Sequence, residues 1–260
     1  MIAELRRNTR LFLEYCRKFG FFRSCRFASA RVLSRTKVRL ANLIPGDRVA
    51  CSCCGWSGRS FDDYIEVGYR LNDYVCPRCG SQPRHRYFHF WLQQSFGLTG
   101  RTGVSIVFAF ERPLEALWKE AGGIRAIRAD IEPSRGVDVI ADIQALPFPG
   151  NCADLIWCHH VLEHVEDDTK GMSELRRVLK ESTGTLVLSV PMVEGATTFE
   201  YGFADPAESG HRRRYGNDFE RRLSEAGLQC QKLRMILSLP EMRRYGIRPD
   251  PFFVCTKTAA

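Results

Sequence analysis

Apolar residues in the second half of the chain gather into short runs, each closed by a polar side chain. Such runs occupy 104–108 (VSIVF), 124–129 ending at Asp130, 137–140 ending before Asp142, 155–158 ending at His159 and His160, and 185–190 ending at Pro191. Runs of four to six residues that are apolar on both faces read as strands buried between two layers, as in a parallel sheet. The stretch after 160 changes period. Met172, Leu175, Val178 and Leu179 recur at helical spacing behind Asp167, Asp168 and Thr169, which supply capping oxygens and early negative charge. Gly184 breaks that helix. Pro113 suits the first turn of another helix over 114–121. Further on, the pattern predicts a long loop over 192–215, a helix over 217–226, a strand over 230–236 and a last strand over 252–257. Strand alternating with helix implies an α/β fold with the sheet covered on both faces. Ligands of such sheets bind beyond the carboxyl ends of the strands, where Asp130, Asp142, His159 and His160 fall.

The first half follows another rule. Residues 1–48 carry twelve Lys/Arg against Glu4, Glu14 and Asp47, a surplus of nine, whereas the whole chain has a net charge of +8. The remainder is therefore close to neutral, which argues against a basic nucleic-acid-binding face on the main domain. In the basic segment Leu5, Leu11, Phe12, Tyr15, Phe19, Phe22, Phe27 and Leu33 sit at helical spacing. A basic amphipathic extension packed on the main domain fits this pattern, and so does peripheral contact with an anionic membrane or with nucleic acid. No run approaches the roughly 20 apolar residues of a membrane span. Nor is there a secretory h-region with a small-residue cleavage site, so a cytoplasmic protein is expected.

Eleven cysteines are many for such a chain, and four of them form two matching knuckles, Cys51-x-x-Cys54-Gly55 and Cys76-x-x-Cys79-Gly80. Each knuckle offers two sulfurs from one tight turn, and four thiolates satisfy tetrahedral Zn²⁺ with no open position. The spacing predicts a structural zinc ribbon over 49–82, with a strand at 64–67 and Trp56 and Phe61 as its core, rather than disulfides. Cys53 is a spare whose spacing does not match the second knuckle. A linking helix over 83–102 follows, opening at Arg84-His85-Arg86-Tyr87, and the main domain occupies 103–260.

One stretch carries a longer pattern: Asp142-Ile143, Leu146-Pro147-Phe148, Asp154-Leu155-Ile156, His160-Val161-Leu162-Glu163-His164-Val165 and Glu174-Leu175-Arg176-Arg177-Val178-Leu179-Lys180. In these residues the chain resembles the class I S-adenosylmethionine-dependent methyltransferases, in the subgroup with a type 11 methyltransferase domain. With the ribbon ahead of it and His211-x-x-x-Tyr215-Gly216-x-Asp218-Phe219 after it, it is similar to a zinc-ribbon-bearing branch of that family. The resemblance implies a Rossmann-like, mostly parallel sheet of seven strands with an antiparallel last strand. It implies S-adenosylmethionine as cofactor and an unidentified methyl acceptor. It places Asp130 at the cofactor ribose, Asp142 and the Ile143 backbone at the adenine, and Phe108, Ala109, Phe110 and Glu111 in the first turn against the cofactor. His160 would border the methyl group and the acceptor, and His160 or His211 would take a proton if the acceptor must lose one. Arg212, Arg213 and Arg214, with His211 and Tyr215, would suit an anionic or sugar-containing acceptor.

The departure from the family lies in that first turn, which holds no glycine to let the backbone approach a ligand. A catalytically inactive zinc-ribbon and Rossmann-like protein that binds RNA or a protein partner is therefore the alternative. His160-Val161-Leu162-Glu163-His164 also matches H-x-x-E-H, a metalloprotease signature that needs both histidines on one helix face. The bland role for Glu163 and His164 is capping and packing at the start of a helix. A nicotinamide-dependent oxidoreductase would need the same missing glycines.

Overall fold

The computed structural model describes residues 9, 12, 13, 15–66, 69–133, 136–205 and 208–257. Glu4, Leu5, Leu11 and Glu14, named above, and residue 67 of the expected strand lie outside them. The chain divides into two compact units. One holds the described residues up to Phe90 together with Leu237–Arg248; the other holds Trp91–Ile236 and the described residues from Pro249 onward. Residues 237–248 thus group with the N-terminal unit rather than with the sheet.

In the first unit helix α1, Phe21–Ala41, is followed by short strands β1 (Val49–Ala50) and β2 (Ser57–Gly58) and an antiparallel hairpin of β3 (Asp62–Glu66) and β4 (Tyr69–Val75). Ser34 on α1 donates to Asp63 of β3 at 2.7 Å, which docks the helix on the hairpin. The apolar positions of α1 do not form the packed stripe that the helical spacing predicts. Phe22 is 84% and Leu33 71% exposed, and the buried positions are Ser24, Ser34 and Val38. The buried Arg86 is the strut of this unit. Its guanidinium donates to the carbonyls of Tyr74, Ser81, Tyr245 and Gly246 and lies 4.1 Å from the centre of the Phe61 ring. Five donors in a fixed fork let one arginine tie together backbone from three segments. Arg86 belongs to helix α2, Pro83–Gln94, so this member of the Arg/His cluster is structural.

The second unit is built on a seven-stranded sheet. Its strands are β5 (Gly103–Phe108), β6 (Ile124–Asp130), β7 (Val139–Ile140), β8 (Leu155–His159), β9 (Thr185–Ser189), β12 (Leu228–Leu233) and β13 (Phe252–Lys257). Their order is β12-β13-β9-β8-β5-β6-β7. The five strands from β9 to β7 are parallel, while β13 pairs antiparallel with both β9 and β12. The last strand is antiparallel, as expected, and it inserts between β9 and β12 rather than closing the edge. Helix α3 (Glu115–Glu120) covers one face, where Trp118 meets Trp157 edge to face at 6.1 Å. Helices α4 (Asp168–Val178) and α5 (Phe219–Glu225) cover the other, packing Met172, Leu175 and Phe219 on Ile156, Leu186 and Phe253. Every residue of β8 is buried, which is why its sequence lacks alternation. Asp167 caps α4 by accepting from the Lys170 amide at 2.9 Å.

Two elements depart from the expected pattern. The predicted loop over 192–215 contains a β-hairpin, β10 (Phe199–Asp205) with β11 (His211–Arg214). Its signal is obscured because charged and glycine residues alternate with the aromatics. Among the cysteines, read above as metal ligands rather than disulfides, Cys230 and Cys255 are directly paired across β12 and β13 and are joined by a disulfide. Among the described residues no helix is long and apolar enough to cross a membrane.

The hairpin is locked down by Arg213, which is 4% exposed. It donates to the carbonyls of Leu162, Val165 and Glu166 at 2.7–2.9 Å and to the Glu200 carboxylate at 3.0 Å. Asp168 joins the cluster, accepting from Tyr215 at 2.8 Å and Arg222 at 3.1 Å. Removing one partner of such a buried cluster leaves the others desolvated and unpaired. Arg213→Ala should therefore destabilise the sheet unit by about 3–5 kcal/mol, read as a lowered urea midpoint of Trp118 and Trp157 fluorescence. Arg213→Lys should restore little of it, because an ammonium cannot serve the same three carbonyls from one plane.

Candidate functional site

The carboxyl ends of β5, β6, β7 and β8 open onto one cleft of about 540 Å³. This lies within the 300–1,000 Å³ usual for a small-molecule or cofactor site. Phe108, Ala109, Asp130, Asp142, Ile143 and His160 line it, six of the residues singled out in the sequence. Phe110 and Glu111 do not line it. Arg128 lies over the Phe110 ring at 5.6 Å, and a Glu111 oxygen lies 3.7 Å from Nε2 of His159.

The loop carrying Asp142 is stapled from behind. Glu174 accepts from the Leu146 amide at 2.7 Å, and Arg177 donates to the carbonyls of Leu146 and Phe148 at 3.0 and 2.9 Å while pairing with Glu174. The L-P-F and E-L-x-R segments of the sequence pattern are thus the two sides of one brace. In front of it, Asp142 turns the chain by accepting from the Gln144 amide at 2.9 Å, and Ile143 is buried. Asp130 makes the equivalent turn at the end of β6, accepting from the Glu132 amide at 3.0 Å. Both carboxylates are thereby held at the rim of the cleft by local bonds.

The glycine-free turn after β5 adopts the conformation that a glycine would supply. Ala109 has φ 47°, in the left-handed region. Alanine is the smallest side chain that carries a Cβ, so the turn keeps close backbone access at a modest conformational cost. His160, at the end of β8, has φ 53°, and its amide donates to the Ser189 carbonyl at 3.0 Å. Left-handed residues at two neighbouring strand ends on one cleft are the kind of local strain that gathers at functional sites.

Residues 160–165 form a turn, not a helix, so His160 and His164 do not share a helix face as the metalloprotease signature requires. Glu163 and His164 do not cap a helix either, since Asp167 holds that position. Instead the Glu163 carboxylate, 1% exposed, accepts from Nδ1 of His160 at 3.0 Å. His164 lines the cleft and meets the His211 ring at 4.8 Å. Burial holds His211 below the usual histidine range, which favours the neutral ring. Of the three arginines named for an anionic acceptor, Arg212 lines the cleft. Arg213 is consumed by the buried cluster, and Arg214 pairs outward with Glu208 at 2.5 Å. Tyr215 is fully buried on Asp168, which removes it as a substrate contact. From the hairpin that the sequence presented as a loop, Ser209, which it left unmarked, and Arg212, which it did not distinguish from its neighbours, reach the cleft lining.

In the N-terminal unit Cys51, Cys54, Cys76 and Cys79 bring their sulfurs within 4.8 Å of one another, and Cys53 is not among them. Cys51 to Cys79 is 3.6 Å and Cys54 to Cys76 is 3.7 Å, against about 3.8 Å between sulfurs in a tetrahedron with 2.3 Å zinc–sulfur bonds. The two knuckles repeat each other. Gly55 donates to the Cys51 carbonyl and Gly80 to the Cys76 carbonyl, each at 2.9 Å, with φ of 70° and 76°. Burial pushes the Cys54 thiol up to about 11, and the Cys51 sulfur pushes Cys76 up as well. Four packed sulfurs resist ionising together, and a divalent cation removes that resistance.

The family model described as a methyltransferase domain matches residues 117–188, from α3 to β9. No curated protein matches the chain significantly. Solved structures that match the chain include the following three. The Burkholderia thailandensis 1,6-didemethyltoxoflavin N1-methyltransferase, with its substrate and S-adenosylhomocysteine bound, is 13% identical over 75% of this chain and 98% of that one, with a TM-score of 0.46. A Mesorhizobium loti S-adenosylmethionine-dependent methyltransferase is 15% identical over 62% and 100%, with a TM-score of 0.44. The Bacillus subtilis YcgJ protein is 16% identical over 61% and 93%, with a TM-score of 0.41. The mostly parallel seven-stranded sheet of this chain is Rossmann-like, and residues 117–188 within it carry the match to the methyltransferase domain.

Proposed function

We propose that the protein is an S-adenosylmethionine-dependent methyltransferase that binds its cofactor in the cleft at the carboxyl ends of β5–β8. The observation that carries this reading is the convergence of Asp130, Asp142, Ile143 and the left-handed Ala109 on one cleft of suitable size. Asp130 would accept from the ribose hydroxyls, and Asp142 from the adenine amino group beside the Ile143 amide. The turn at Phe108 and Ala109 would present its backbone to the carboxylate end. When bound, the cofactor supplies a sulfonium-activated methyl group. His160 stands at the end of β8, where it would border that methyl group and hold the acceptor in line, which is most of what such a transfer needs. A proton released by the acceptor would go to His160 or His211.

The four-cysteine cluster is, in the same reading, a structural zinc site, because four sulfurs leave no position for a substrate. A module as small as 49–82 buries too little apolar surface to stand without such a staple. Cys76→Ser should lower the zinc content by one equivalent per chain in elemental analysis and expose Trp56 to solvent.

The glycine-free turn favours a second reading, a non-catalytic scaffold for RNA or a protein partner. Calorimetric titration with S-adenosylmethionine separates the two. Micromolar binding is expected, weakened about tenfold to a hundredfold by Asp130→Ala, the loss of a charged hydrogen-bond acceptor. Absence of binding in folded, zinc-loaded protein would leave the scaffold reading in place.

A further inference from the structure

We propose that Glu163, His164 and His211 form a second metal site, for a divalent cation, beside the cleft. The donor atoms of the three residues lie within 4.8 Å of one another. Two imidazoles and one carboxylate suit Mn²⁺, Fe²⁺ or Co²⁺ and leave coordination positions open. Three independent features prepare the residues for this task. Glu163 is 1% exposed, and its Oε2 has no hydrogen-bond partner among the described residues, a costly arrangement for a carboxylate unless something positive meets it. Its Oε1 is oriented by Nδ1 of His160. His164 turns Nδ1 toward the Gly210 carbonyl at 3.3 Å; a carbonyl can only accept, so this bond leaves the proton on Nδ1 and the lone pair on Nε2. Metal-bound histidines are typically set in this way, by a backbone carbonyl on the far nitrogen.

The backbone supports the same grouping. The Arg212 amide donates to the Glu163 carbonyl at 2.7 Å, pinning β11 to the turn after β8, so His211 arrives beside His164 from a distant part of the chain. Ligand atoms around one ion with bonds near 2.1 Å stand about 3.0–3.4 Å apart as neighbours. Donor atoms that lie within 4.8 Å of one another need a contraction of about 1–2 Å to reach that spacing. His164 also lines the cleft, so an open position on the ion faces the place assigned to the methyl acceptor. There the ion would hold an acceptor oxygen and ease loss of its proton to water or to His160, because His211, as a ligand of the ion, no longer takes it. That use rests on the methyltransferase reading; binding of the ion does not.

The test uses the full chain with its four-cysteine site zinc-loaded, dialysed free of other metals and titrated with Mn²⁺ (followed by electron paramagnetic resonance) and with Co²⁺ (followed by absorption). One additional equivalent of either ion should bind without loss of zinc. His211→Ala and His164→Ala should each weaken it by at least about tenfold, and His160→Ala, which removes only the orienting bond, by about tenfold. Glu163→Gln should do the same, with circular dichroism showing that it folds. The histidine variants carry the test if the buried one does not. Failure of both ions to bind the unaltered protein, or unchanged affinity in His211→Ala, would overturn the proposal. Titration of the same samples with S-adenosylmethionine keeps the two readings apart. Cofactor binding without the ion would sink the metal site alone, and ion binding without the cofactor would sink the methyltransferase reading alone.

Discussion

The geometry beside the cleft depends on one buried guanidinium. Arg213 reaches from β11 to the carbonyls of Leu162, Val165 and Glu166, the turn between β8 and α4. Without it the carbonyls of Val165 and Glu166 would lose this donor and that of Leu162 would keep only the Tyr215 hydroxyl at 3.3 Å, and each buried orphan costs as much as a lost hydrogen bond. Supplying all three from one side chain fixes the turn and the hairpin with respect to each other. His160, Glu163 and His164 lie on one of these elements, and His211 lies two residues before Arg213 on the other. The charge of Arg213 is met by Glu200 at 3.0 Å, with Asp168 at 3.7 Å, so the cluster is paired as well as hydrogen-bonded. A cation that looks in the sequence like a substrate contact is therefore the reason that other side chains can be one.

A similar division of labour runs through the longer sequence pattern. Glu174 and Arg177 face the backbone of 146–148 rather than the cleft, and Lys180 pairs with Asp154, which accepts from the Val104 amide at 2.8 Å. These residues hold loops and strand ends in register; the residues that face the cleft are fewer and shorter. The two units reach stability by different routes. The sheet buries aromatic and aliphatic side chains on both faces, whereas the cysteine module buries little beyond Val49, Cys51, Phe61 and Cys76 and relies on cross-links, the Arg86 fork among them.

Strand positions were legible where burial on both faces makes a run of apolar residues unavoidable, as in β5, β8 and β9. The carboxylates at strand ends were legible for the same reason, since a polar residue that closes such a run must lie at the sheet's edge. The paired knuckles were legible because ligand spacing is a local property of two tight turns. The hairpin of β10 and β11 was not. Its residues are mostly exposed on one side and pinned by arginine on the other, so no alternation survives in the sequence. The pairing of Glu163 and His164 with His211 was out of reach as well, because it joins residues 48 and 47 positions apart through a hairpin that Arg213, the Arg212 amide and the Gly210 carbonyl fix to the turn.

Ala109 shows why absence of a residue type is a weaker sign than absence of a conformation. The turn after β5 needs a left-handed residue so that the chain can leave the strand and keep its backbone open to a ligand. Glycine reaches that region without cost, and alanine reaches it at roughly 1–2 kcal/mol. At φ 47° Ala109 carries that cost, and the buried strand behind it, with Ile106, Val107 and Phe108 all in the core, is what sustains it. Strain of that size persists only where the surrounding packing over-determines it. The missing glycine therefore bears on how tightly the turn is built, and the access it gives to the cleft is set by the retained backbone geometry.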